Sequence, residues 1–209
     1  IGGGLAIGGQ LAVGSTSGVS ELSVAGAVSA ANLVIGGNTN GQGIVTVNFG
    51  ALTISGNIEV GRFAAATLRV SFIGSVSCDF LAVGNSANGV DGRLLIGGAE
   101  FGAAEISGTV NADLITLETA GSKLVFNTID NVTFGSRISD IGSVEIKGSG
   151  TVLLTNNLND YSGATIVSGG ILKQTEALGS LSSFSAYTVN AGGRIDINGN
   201  SQTMKTLSG

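Results

Sequence analysis

The chain has 209 residues, 36 of them glycine, with 43% hydrophobic side chains, only 11% charged ones and a formal net charge of −5. It has no histidine, no proline and no tryptophan, and a single cysteine. These absences exclude Ser-His-Asp and Cys-His nucleophilic sites, His-ligated metals, an internal disulfide framework and a Cys-x-x-Cys knuckle.

The acidic balance argues against an electrostatic nucleic-acid surface, and no basic run is present to hold an anionic membrane. The apolar share suffices for a continuous core, and low charge content argues against charge-driven disorder. The first residue, Ile1, falls inside a repetitive pattern, with no signal-peptide hydrophobic region before it. A segment of a longer protein is therefore expected. Gly, Ser or Asn interrupts every apolar run before 18 residues, so no membrane-spanning helix is expected.

Repeats dominate the first 149 residues. The string L-x-[IV]-G occurs at Leu5–Gly8, Leu11–Gly14, Leu33–Gly36 and Leu81–Gly84, with close variants at Ile58–Gly61 and Leu94–Gly97. Gly26, Val28, Ala30, Leu33, Ile35 and Gly36 match Gly74, Val76, Cys78, Leu81, Val83 and Gly84 at identical offsets. Gly108, Val110 and Ala112 begin the same pattern, and Leu114 then arrives one residue early.

Within each unit apolar residues alternate, as in Leu22/Val24, Val45/Val47, Leu52/Ile54, Leu68/Val70/Phe72, Val76/Cys78 and Val144/Ile146. Period two predicts short strands with one buried face. Asn38–Gly41 and Asn85–Gly89 supply corner residues. Only Phe63–Thr67 and Glu176–Leu178 have helix-friendly composition.

Units roughly 18–30 residues apart that cannot bury their apolar faces alone predict a solenoid. The expected fold is all-β: a single-stranded, right-handed parallel β-helix of roughly nine rungs, about 45 Å long at about 4.8 Å per rung. A β-sandwich is the rival; it predicts hairpins without a shared register between units.

From Gly150 the texture changes. Gly150–Thr155 reads as a first strand, Asn156/Asn157 and then Tyr161-Ser162-Gly163-Ala164-Thr165 as a centre, and Val167–Leu172, with Gly169 and Gly170, as a closing strand. Ala177-Leu178-Gly179-Ser180 forms a link, and Val189–Gly193, with Gly192 and Gly193, leads into Ile195–Thr203. This segment resembles the passenger-associated transport repeat, or autotransporter-associated β-strand repeat, of bacterial type V secreted proteins. Its N-x-Y-S/T-G-x-T centre matches from Tyr161 onwards, with Leu158-Asn159-Asp160 as extra residues after Asn157.

The resemblance covers about 60 residues closely; residues 1–149 share only a Gly-rich, Cys-poor, β-repetitive texture. It implies two regions, irregular β-helix rungs over 1–149 and the repeat over 150–209 continuing the same helix. It also implies a passenger carried to the surface of a Gram-negative bacterium with the help of its own C-terminal β-barrel, and a repeat that assists folding or transport. Gly150, Asn157, Tyr161, Gly163, Thr165, Gly169, Gly170, Leu172, Leu178, Gly179, Gly192 and Gly193 are the structural or export motif. From the residues themselves, Tyr161 is expected at a corner with its ring on the stack and its hydroxyl on backbone. Gly163, Gly169, Gly170, Gly192 and Gly193 are expected at positive-φ corners or narrow bends.

Residues with chemical potential are sparse. Cys78 matches Ala30 and Ala112 in the repeat, which predicts a small inward hydrophobe. Stacking could bring Asp79 towards Glu105 or Asp113, but a glycosidase needs two carboxylates at a defined separation. Most acids, such as Glu59 and Glu145, alternate with apolar neighbours and read as solvated faces. Asn88–Gly92 offers too few oxygens for calcium. Arg62, Arg69, Arg93, Lys123, Arg137 and Lys147 are evenly spread, without aromatic interleaving.

No catalytic residue, metal or cofactor is therefore expected. The favoured role is a structural stalk or adhesin facing a host-cell or matrix receptor or a glycan. A polysaccharide-cleaving β-helix and a self-assembling filament of end-to-end rods are the alternatives.

Overall fold

The computed structural model describes residues 4–14, 16–175 and 180–209. The first ten strands are β1 (Leu5–Val13), β2 (Gly18–Val24), β3 (Ala27–Ile35), β4 (Gly41–Val47), β5 (Ala51–Ile54), β6 (Asn57–Val60), β7 (Ala66–Val70), β8 (Ser75–Val83), β9 (Gly92–Gly97) and β10 (Thr109–Leu117). They are followed by β11 (Lys123–Asn127), β12 (Val132–Phe134), β13 (Arg137–Asp140), β14 (Ser143–Ile146), β15 (Thr151–Leu154), β16 (Thr165–Val167), β17 (Gly170–Gln174), β18 (Ala186–Val189), β19 (Gly193–Asp196) and β20 (Thr206–Ser208). No helix occurs among the described residues.

Every strand pairing is parallel, and the strands stack into a β-solenoid of about nine turns. The spine is a nine-stranded sheet, β2-β4-β7-β9-β11-β14-β16-β18-β20, which runs from one end to the other. A flanking sheet, β1-β3-β5-β8-β10-β13, with β6 bridging β3 and β8, covers the first part. A four-stranded sheet, β12-β15-β17-β19, covers the second.

Alternation stacks into columns. One column of the flanking sheet is Leu11, Leu33, Ile58, Leu81, Ile115 and Ile138. From Leu33 onwards each of these is fully buried. Burying such a side chain contributes about 1.5–3 kcal/mol, and a turn realises that gain only when its neighbours cover it. The terminal glycine of the L-x-[IV]-G string closes these strands in the left-handed region, with φ of 75° at Gly36, 94° at Gly61 and 88° at Gly84. A β-branched or bulky residue there would be strained, so the string recurs because the corner recurs.

Three details depart from the sequence pattern. Leu94–Gly97 carries the same string but lies on the spine, in β9. Leu114 introduces no slip: Ile115 pairs with Leu81, and Leu114 pairs with Phe80. Phe72 does not continue the inward series of Leu68 and Val70; it turns the corner at φ 55° and stacks on Phe49 with centroids 5.1 Å apart. Leu52 lies 24 residues from Val28 and from Val76, its partners on either side, whereas Val110 follows its partner Val76 by 34. The extra length is the loop 98–108. Of the two helix-friendly stretches, Ala66 and Thr67 open β7, and Glu176–Leu178 lie outside the described residues.

The change of flank has a local cause. The long strand of earlier turns breaks into β12 and β13, and Ser136 Oγ, between them, accepts the Ala112 amide at 3.2 Å. On the next turn no strand covers β13. Asn159 replaces one instead: its Oδ1 accepts the Ile138 amide at 2.7 Å, and its Nδ2 donates to Ser180 O at 2.8 Å. Over this third face, beyond the spine and the four-stranded sheet, side-chain amides and hydroxyls join backbone bonds from Asp160 N to Ile138 O at 3.1 Å and from Ser162 N to Asp140 O at 2.7 Å.

Candidate functional site

The motif residues of the C-terminal turns fall into two groups. The first is a set of glycines of close backbone approach at two corners, Gly163 before the spine strand and Gly150, Gly169, Gly170 and Gly193 after it. A Cβ on Gly163 would strike the Gly142 carbonyl, on Gly150 that of Asp130, on Gly169 that of Lys147, on Gly170 that of Gly150, and on Gly193 that of Val167. Gly170 and Gly192 have positive φ, 58° and 94°. Gly150, Gly163, Gly169 and Gly193 do not, so these four serve proximity and not handedness. Leu172 is fully buried between Val152 and Ile195. Leu178 and Gly179 lie outside the described residues.

The second group is a buried polar column. Along the spine, Leu22, Val45, Leu68, Leu94, Leu124 and Val144 stack in one column, which continues as Thr165 and Tyr187. Tyr161, Thr165, Ser182, Ser185 and Tyr187 are all fully buried. The Tyr161 hydroxyl lies 2.8 Å from Thr165 Oγ1, which lies 2.7 Å from Ser185 Oγ, which donates to Gly163 O at 2.7 Å. Each hydroxyl has one proton. Ser185 spends its proton on Gly163, so Thr165 donates to Ser185, and Tyr161 donates to Thr165. A second branch runs from Tyr187 OH to Ser182 O at 2.8 Å, and from Ser182 Oγ to Tyr161 O at 2.7 Å.

Tyr161 thus does not reach backbone with its hydroxyl, as its sequence surroundings suggest; a buried phenol finds the neighbouring threonine first. Burial pushes the Tyr161 phenol upward against the pull of its hydrogen bonds, and burial together with the neighbouring Tyr161 pushes Tyr187 upward. Both stay protonated donors.

Asn157 is exposed, whereas Asn159 is the buried asparagine of this turn. The signal for it was present in the sequence: Asn159-Asp160-Tyr161 has the N-x-Y spacing without insertion. Asn156 helps shape the approach, its Nδ2 donating to Gly135 O at 3.0 Å and its Oδ1 accepting the Leu158 amide at 3.0 Å.

A feature missed in the sequence is the mount of loop 98–108. The Glu100 carboxylate takes Arg93 Nε at 3.1 Å and Lys123 Nζ at 2.8 Å, and its carbonyl takes Lys147 Nζ at 2.6 Å. Glu105 pairs with Arg69 at 2.6 Å, and Asp130 accepts both the amide and the hydroxyl of Ser107 at 2.8 and 2.7 Å. Asn127 Nδ2 faces three loop carbonyls, the nearest being Ala99 O at 2.8 Å. Burial alone would raise the Glu100 carboxyl, but the hydrogen bonds and charges of Lys123 and Arg93 outweigh it and hold it below its ordinary value.

The mounted loop presents Phe101, 91% exposed, with Lys147 Nζ 5.2 Å from its ring centroid. The outward charges on this face therefore hold a loop and are not merely solvated. Phe49, Ile73, Ile106 and Ile129 add exposed apolar surface.

The remaining candidates are dispersed over the solenoid. Cys78 is buried, paired with Ala112, and its thiol is pushed up to about 12 by burial and then by the carboxylates of Asp79 and Asp113. Those two acids occupy matching steps of adjacent strands and are exposed, and Glu105 is held elsewhere by Arg69. Asp91 accepts the Thr119 hydroxyl at 2.6 Å. Among the described residues no group of three His, Cys, Asp or Glu side chains could hold a metal ion.

No family model and no solved structure matches this chain. Among curated proteins, it is 36% identical over 99 residues to the adhesin BmaC autotransporter of Brucella suis biovar 1 (strain 1330). The match covers 45% of this chain and 3% of that much longer protein. This similarity and the parallel solenoid together fit a segment of an autotransporter passenger.

Proposed function

We propose that this chain is a stalk segment of an exported bacterial adhesin, and that residues 150–209 form a repeat that assists passenger folding and export. The observation that carries the reading is the unbroken nine-stranded spine. A continuous ladder makes a rod, and the main excursion from it is a loop fastened by ion pairs to present an aromatic side chain. Similarity to an autotransporter adhesin supports surface display, with a host receptor, matrix protein or glycan as the partner. The C-terminal turns suit a folding template because buried hydroxyls and amides fix how successive turns meet, where an aliphatic stack would tolerate slippage.

The test is deletion of Gly150–Ser180 from the full-length parent protein. Synthesis should persist while surface display falls severalfold; normal display would remove the export role. In the same system Phe101→Ser should leave display intact and weaken cell attachment.

A further inference from the structure

The third face of the C-terminal turns carries an open cleft of about 360 Å³, within the size range of small-ligand sites. Its walls come from three successive turns, through Asn157 and Asn159, then Leu181 and Ser183, then the stretch 200–203. Some of these groups are spent on holding the frame. Asn159 bridges Ile138, Asn156 and Ser180, and Gln202 Nε2 donates to Leu181 O at 2.9 Å and Thr203 O at 2.7 Å. Others are unspent. Gln202 Oε1 is buried without a hydrogen-bond partner, and a buried acceptor left unmade is costly. The exposed side chains of Asn157, Ser183, Ser201 and Thr203 make no hydrogen bond among the described residues.

The lining defines the ligand. Every described residue of the cleft is uncharged; the nearby Asp160 carboxylate is paired through Oδ2 with Arg137 at 2.6 Å, and its unbonded Oδ1 is buried. An anionic or cationic ligand would find no counter-charge among these lining residues. Leu181 is the sole apolar residue among the described walls and is 3% exposed, so an apolar peptide side chain would find no pocket to fill. What is offered is a fixed set of carboxamides and hydroxyls, stepping about 4.8 Å per turn. Such groups both donate and accept, which suits a ligand that repeats hydroxyls along its length. Leu158 and Phe184, 63% and 58% exposed, adjoin lining residues in sequence.

We propose that this cleft binds a neutral saccharide, a hexose or N-acetylhexosamine unit of a glycan. This deepens the adhesin reading, on which it rests, by naming the ligand class. The experiment is titration of the purified chain with neutral oligosaccharides and their sialylated or sulfated counterparts, followed by NMR or calorimetry. The variants are Asn157→Ala, Ser183→Ala and Thr203→Val. Their side chains are exposed and unbonded, so the fold should be retained, as circular dichroism will check.

Binding of a neutral oligosaccharide, weakened at least tenfold in N157A/T203V and not improved by an anionic substituent, is the expected result. Three results would each overturn the proposal: no binding at millimolar sugar, binding unchanged in all three variants, or a preference for anionic glycans or peptides. Surface display of the same variants in the parent protein is scored separately. Absence of sugar binding by the unaltered chain with intact display removes this site alone, whereas failed display of the parent segment removes the stalk reading.

Discussion

Replacing Thr165 by valine keeps the shape of a fully buried side chain and removes the hydroxyl that links Tyr161 to Ser185. Two hydrogen bonds disappear, each worth about 0.5–1.5 kcal/mol net. Ser185 keeps its bond to Gly163. Tyr161 loses its acceptor at 2.8 Å, with only the Tyr187 and Ser185 side chains left beside its hydroxyl, and orphaning such a buried group costs about 1–3 kcal/mol. Thr165→Val should therefore destabilise the C-terminal turns by about 2–3 kcal/mol. Tyr161→Phe alone should cost only about 1 kcal/mol, because Thr165 still donates to Ser185.

The double variant removes the orphan along with its partner. Its cost should fall short of the sum of the single costs by about 1 kcal/mol, the coupling expected of groups in one network. Hydrogen exchange of the β16 and β18 amides reads the local stability directly, and urea unfolding reads the whole. Strict additivity would refute the proton order deduced for this column, as would a double variant worse than the sum.

Gly163→Ala should be severely destabilising, since its Cβ meets the Gly142 carbonyl, whereas Gly89→Ala, with φ 63° and open space around it, should cost only about 1–2 kcal/mol; thermal melts of the two will rank them. Cys78 should resist alkylation at pH 8 until denaturant is added. Its folded value is raised above the free-thiol 9.0, so its contribution is complete below that value and is lost as pH rises from about 9 towards about 12. Cys78→Ala should flatten that part of the alkaline stability profile. Glu100 has a depressed folded value, so the fastening of loop 98–108 is complete above its ordinary 4.5 and is lost as pH falls below it. Limited proteolysis should cut near Phe101 increasingly as pH falls below 4.5 but not at pH 7, and Glu100→Gln should be cut at pH 7 as well.

The solenoid was legible because its two determinants are local. Alternation in segments such as Val45/Val47 and Leu52/Ile54 selects the buried face, and the glycine after Leu33-Val34-Ile35 marks a corner that only a left-handed residue can turn. The change of flank was not legible, since Ser136 and Asn159 look like ordinary loop residues until the turns above and below are in place. The loop mount was hidden for a related reason. Arg93, Lys123 and Lys147 alternate with apolar neighbours just as solvated charges do, and their partner Glu100 is supplied by an insertion. Within the motif, Gly150, Gly163, Gly169, Gly170 and Gly193 sit where a Cβ would meet a neighbouring carbonyl, a demand that a sequence shows only as glycine itself. Around Tyr161, Thr165 stands at the repeat's spacing, whereas the buried asparagine is Asn159, two residues beyond Asn157, and nothing local distinguishes it from Asn156 and Asn157 until the adjoining turns cover it.

The parallel stacking has a mechanical consequence. All inter-turn ladder bonds lie along the rod, so tension applied to one end of the chain concentrates on the outermost turn. That turn can peel away while its neighbour stays whole. A turn of 24 residues, the step from Val28 to Leu52, releases about 80 Å of extended chain. Under force the molecule should lengthen in steps of that size, absorbing work one turn at a time. A tether of this kind would yield gradually to shear where a single cooperative domain would rupture, and would rewind from the turns that remain.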